Sequence, residues 1–106
     1  MIVVTDSSVA GKRVVRTLGL VRGNTVRARH LGHDIMAVFR GFVGGEVHEY
    51  TKLLAESREH ALDRMVVEAH AIGANGIVSA QFATSYVAAS MAEIMCYGTA
   101  VVLENE

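Results

Sequence analysis

Residues 47–76, VHEYTKLLAESREHALDRMVVEAHAIGANG, decide the fold. From Val47 to Ile72 the apolar residues Tyr50, Leu53, Leu54, Ala61, Met65, Ala69 and Ile72 recur at three- and four-residue steps, while Lys52, Glu56, Glu59, Asp63, Arg64 and Glu68 take the other side. That is the period of an amphipathic helix with one face on a core. At 1.5 Å per residue such a helix is about 39 Å long, whereas a compact domain of this size is roughly 26 Å across. The helix must therefore lie diagonally over a sheet or protrude into a neighbour. Gly73 supplies the left-handed residue that stops a helix, and Ala74-Asn75-Gly76 forms the turn out.

Downstream, 77–88 and 93–103 are β-patterned and separated by Ala89-Ser90-Met91-Ala92, which predicts an antiparallel hairpin. In the second of these, Met95, Tyr97, Val101 and Leu103 point one way and Ile94, Cys96, Ala100 and Val102 the other. A sheet apolar on both faces needs cover on both. Upstream, Val3 and Val4 open a short strand that stops at Asp6-Ser7-Ser8. Residues 13–31 alternate as two strands, or as one long strand bent at Gly19 or Gly23. Asp34 caps a short helix over 35–42, ended by Gly44-Gly45. The expected architecture is a single α+β domain over 1–106: an antiparallel sheet in the order ββααββ, with one long and one short helix on one face. The second face then calls for another copy of the chain, and so for a homo-oligomer of closed symmetry.

With 106 residues, 51% apolar, 20% charged and no proline, the chain is neither disordered nor large enough for two lobes around a cleft. A net charge of -1 gives no general drive toward nucleic acid or an anionic membrane. The distribution is uneven, since residues 1–34 hold six Lys/Arg against Asp6 and Asp34, and the rest is acidic. The basic residues lack interleaved aromatics for base stacking, so this split suits contact between subunits and solvation rather than nucleic-acid binding. One cysteine, no secretory pattern and no apolar run of membrane-spanning length predict a cytoplasmic protein with no membrane partner.

His30 and His33, beside Asp34, form H-x-x-H-D, a ligand set suited to Zn or a similar divalent ion that needs a third donor from elsewhere. Met91, Met95 and Cys96 gather sulfur of the kind that selects Cu(I), although strand alternation turns Cys96 away from Met95. His48, His60 and His70 read as solvated helix positions. No nucleophile elbow, Walker loop, H-E-x-x-H or C-x-x-C is present, and no acid/base pair stands at a recognisable spacing, so an enzyme is not expected.

Four motifs occur in order: Gly11-Lys12-Arg13-Val14-Val15 with Leu18-Gly19-Leu20-Val21, Val43-Gly44-Gly45 with Tyr50, 71–78 (AIGANGIV), and Gly98-Thr99-Ala100-Val101-Val102. Together they make the chain resemble, along nearly its whole length, the YbjQ family, which carries a heavy-metal-binding label. The resemblance implies a dodecin-like subunit closed into a ring, a homopentamer. It implies a binding protein for a transition or heavy metal ion, of the Zn or Cu class, or for a small ligand at subunit interfaces. The candidate metal residues, chosen by their side-chain chemistry and not by a motif of the family, are His30, His33 and Cys96. The alternative is a scaffold ring that holds a protein partner without metal.

Overall fold

The computed structural model describes residues 1–26, 47–88 and 91–106. Four strands and a helix are seen among them: β1 (Ile2–Val3), β2 (Lys12–Val26), α1 (Val47–Ala71), β3 (Gly76–Ala88) and β4 (Met91–Asn105). The long helix and the β3/β4 hairpin stand where the periodicity puts them. The short helix expected over 35–42 lies outside the described residues, as do Gly44 and Gly45.

The all-antiparallel ββααββ arrangement needs correcting. The sheet is mixed, in the order β1-β3-β4-β2. β1 pairs parallel with β3 through Ile2↔Gly76 and Val3↔Ile77, while β4 runs antiparallel to both β3 and β2. The chain enters on one edge, leaves at Asp6-Ser7-Ser8 and returns on the opposite edge as β2, so sequence neighbours β1 and β2 are not neighbours in space.

That excursion also corrects the expectation of a bare second face. Ile2, Val4 and Val9 pack on a cluster of Val78, Val101 and Leu103, separate from the larger core beneath the helix. The N-terminal segment thus covers one end of the second face by itself. It is held by main-chain bonds from Val4 N–H to Ile77 C=O at 3.0 Å and from Ala80 N–H to Val4 C=O at 3.0 Å. Between these, Ser79 takes φ +54° and donates its N–H to Asp6 C=O at 2.8 Å. The β3/β4 register shifts over the same stretch, between Val78 and Gln81, which marks a bulge.

On the other face, Ala61, Met65 and Ala69 are fully buried and Ser57 nearly so, a four-residue repeat that seats α1 on Val21, Ile77, Ile94, Cys96 and Ala100. Gly23 lets the helix come down: a Cβ there would stand 2.5 Å from the Met65 main-chain nitrogen and 2.9 Å from Arg64 Cβ. β2 is one strand, with register shifts at Val14/Arg16 and Thr17/Gly19. Gly19, at φ +115°, serves the second shift. Of the two glycines the sequence offered as a bend, Gly19 is the irregularity and Gly23 the packing site.

Asn75 ties the sheet end together. Its side-chain amide donates to Leu103 C=O at 2.9 Å and accepts from Leu103 N–H at 2.7 Å, extending β3 by one mimic residue. Its main-chain N–H bonds Val101 C=O at 3.2 Å and its C=O accepts from Ile2 N–H at 3.3 Å. Asn75→Ala is expected to destabilise the fold by about 1–3 kcal/mol, because both Leu103 groups lose their partner. Urea unfolding checks this, and an unchanged midpoint would show that water replaces the amide without loss.

Candidate metal centre

His30 and His33 lie outside the described residues, so only Cys96 of the three predicted ligands can be placed. It sits in the middle of β4, opposite Gly23 on one side and Phe82 on the other. Its side chain faces the helix and is fully buried, in the cluster that holds Val21, Ala61, Met65 and Ile94. Strand alternation dictates this: Ile94, Cys96 and Ala100 are buried on the helix side, while Met95 and Tyr97 are half-exposed on the other. The separation of Met95 from Cys96 expected from alternation therefore holds.

Burial pushes the Cys96 thiol above its ordinary range. A soft metal binds the thiolate, and removing water from the thiolate disfavours it, so this position suits a small core residue better than a ligand. Next to it on the same face, Thr25 is 4% exposed, and its Oγ1 finds no hydrogen-bond partner among the described residues. Sequence reading passed over Thr25, although the alternation Val21, Gly23, Thr25 places it on the buried side. Among the described residues no three His, Cys, Asp or Glu side chains come together to hold a metal ion. His60 and His70 are exposed on the helix, as their positions predicted.

The face away from the helix carries a cross-strand row of Arg22, Tyr97 and Gln81, in which the Tyr97 hydroxyl donates to Gln81 Oε1 at 3.0 Å. The basic and acidic parts of the chain meet within one chain. Arg13 pairs with Glu104 at 3.4 Å on β2 and β4, with both side chains more than half exposed, so the pair adds little stability. Glu68 of the helix accepts the Arg22 main-chain N–H at 3.4 Å, and the Arg64 guanidinium donates to the Asn24 carbonyl. No sequence spacing foretells these two contacts, which depend on where α1 crosses β2. No described helix is long and apolar enough to cross a membrane.

These features define a small α+β domain with, among the described residues, one long helix on a mixed four-stranded sheet, whose lone thiol is core. The chain belongs to the YbjQ family: the family model described as "Putative heavy-metal-binding" matches residues 1–104. It is 56% identical over 106 residues to a UPF0145 protein of Pyrococcus abyssi, covering 100% of this chain and 93% of that one. A UPF0145 protein of Methanosarcina acetivorans is 50% identical over 105 residues, 99% of each chain. A crystal structure of a protein of unknown function from Pediococcus pentosaceus, of the DUF74 family, superposes with TM-score 0.66 over 98% of both chains. At 14% identity that likeness speaks for the fold alone.

Proposed function

We propose that this chain is a non-enzymatic subunit of a homo-oligomeric ring, a pentamer by family resemblance, that binds a transition or heavy metal ion or a small ligand where subunits meet. The carrying observation is its shape. The Cα radius of gyration is 16.8 Å and the extents are 54 × 23 × 16 Å, whereas a self-sufficient domain of this length has a radius near 13 Å. Leu20 and Phe82, 66% and 49% exposed, lie on opposite faces of the same sheet. Such a subunit gains apolar burial by assembling. The family description supports the cargo, and His30 and His33 are the donors that a neighbour would complete.

Native mass spectrometry of the untagged protein, stripped and then given Zn(II) or Cu(I), tests assembly and cargo together. The expected result is a ring that takes up one of the ions in fixed proportion to its subunits. His30→Ala with His33→Ala should abolish uptake, while Cys96→Ser should leave the stoichiometry unchanged. A ring that ignores both ions supports the scaffold reading, in which the exposed basic side chains of β2 and the acidic outer face of α1 carry contacts to a protein partner. A monomer at all concentrations contradicts both.

A further inference from the structure

Asn75 is the one asparagine in the sequence that is followed by glycine; Asn24 and Asn105 precede Thr25 and Glu106. An Asn-Gly step is chemically labile, because a glycine without Cβ lets its main-chain nitrogen reach the carboxamide carbon of the asparagine before it. The fold nevertheless has a reason for each residue. Asn75 supplies the paired bonds to Leu103, from Nδ2 to its C=O at 2.9 Å and from its N–H to Oδ1 at 2.7 Å. Gly76 is buried, and a Cβ there would stand 2.5 Å from Leu103 Cδ1 and 3.1 Å from Leu103 Cγ. Packing thus puts a reactive pair at the end of the sheet.

Ring closure between the two needs Asn75 Cγ to swing toward the Gly76 nitrogen. Leu103 holds both ends of the carboxamide, and Leu103 is itself fixed in β4 opposite Val14 of β2. The main chain around it is held as well, since Asn75 bonds Val101 and Ile2, and Gly76 stands in register with the same two residues. Asn75 is exposed, so water and base reach it. The folded chain therefore protects this amide by geometry and not by excluding solvent. Such protection lasts only while the sheet end is closed, and ends of this kind open locally without global unfolding. The apolar cover here is small: Ile2, Val4 and Val9 on Val78, Val101 and Leu103.

We propose that Asn75-Gly76 is a self-modification site gated by this end of the sheet, so that a transient opening becomes a permanent change. It rests on neither the assembly nor the metal reading above. Once Leu103 lets go, the Gly76 nitrogen attacks Asn75 Cγ and gives up its proton; the Cγ–Nδ2 bond breaks, and ammonia leaves with that proton. Water then opens the cyclic imide. Cleavage of its Cγ–N bond leaves aspartate at 75. Cleavage at the main-chain carbonyl leaves isoaspartate, whose backbone runs through the former side chain and is longer by a carbon. Neither product lets the end close as before. Aspartate sets a carboxylate oxygen where Nδ2 donated, facing the Leu103 carbonyl oxygen. Isoaspartate shifts Gly76 out of register with Ile2 and Val101.

The test incubates the full chain at one pH and temperature, folded in buffer and unfolded in guanidinium chloride. Isoelectric focusing reads the added negative charge, and peptide mass spectrometry assigns it to a residue. Conversion is expected at Asn75 ahead of Asn24 and Asn105, and at least about tenfold slower in the folded chain, the combined weight of two side-chain bonds. Val101→Ala thins the cover and should raise the folded rate about threefold or more while leaving the unfolded rate unchanged. Val9→Ala, a milder change in the same cluster, takes its place if that variant does not fold. Converted chain, separated by ion exchange, should unfold at lower urea than unconverted chain. A charge that appears first at another asparagine overturns the site, and equal folded and unfolded rates overturn the lock. A folded rate that neither cover variant changes overturns the gate, and equal urea midpoints overturn the permanent change.

Discussion

Gly23→Ala is expected to destabilise the protein by about 3 kcal/mol or more, the upper end of what overpacking costs. The added methyl would collide with the Ala61 carbonyl oxygen and stand 2.5 Å from the Met65 nitrogen. Both are helix backbone, so no rotamer change relieves the contact, and α1 must lift off β2. Lifting it opens the layer that buries Val21, Ala61, Met65 and Cys96. It also pulls Arg64 and Glu68 from their partners on the strand edge. For a domain near this size each kcal/mol moves the melting temperature by about 4–8 °C, so a loss of roughly 12–24 °C is expected. Thermal melts are compared at one protein concentration, because the midpoint of any self-associating protein depends on it. A change of under about 4 °C would mean that the helix does not rest on the strand at Gly23.

Met65→Ala should cost about 2–5 kcal/mol, the range for emptying a large buried side chain. Met65 is fully buried and heads the fully buried side chains in size, together with Ile77 and Ile94. One turn away on the buried stripe stand the small Ala61 and Ala69, with the partly buried Leu62 and Val66 packed beside them. Met65→Leu keeps most of the volume and should lose less than about 1.5 kcal/mol. Urea unfolding of the two variants separates cavity from chemistry, and losses under about 0.5 kcal/mol in both would show that the core does not enclose Met65. Gly23→Ala and Met65→Ala act on the same interface, so their combined effect should be less than the sum.

The long helix was legible because its signal is local and repeated: Ala61, Met65 and Ala69 recur every four residues, and Gly73 ends the run with φ +88°. β4 was legible for a similar reason, with period two assigning Cys96 to one face and Met95 to the other. β1 was harder, because two residues carry no period and a strand that short exists only through its bonds to β3. The same reason hid the cover on the second face. Ile2, Val4 and Val9 look like a strand and a loop until the chain folds back over Val101 and Leu103.

The candidate site was legible in its residue types and not in its geometry. Cys96 is conspicuous as the one thiol in the sequence, yet burial decides its chemistry, and burial comes from α1 more than 25 residues away in the chain. By itself the sequence determined the long helix, the β3/β4 hairpin and the opposite faces of Met95 and Cys96, all carried by spacing within a dozen residues, and the family, carried by four motifs in order along the chain. Only the tertiary structure decided the strand order, the parallel pairing of β1, and the clamp of Arg64 and Glu68 on β2. These depend on contacts between distant segments, which are chosen by which surfaces can be buried together once the whole chain is compact, and no local pattern records that choice.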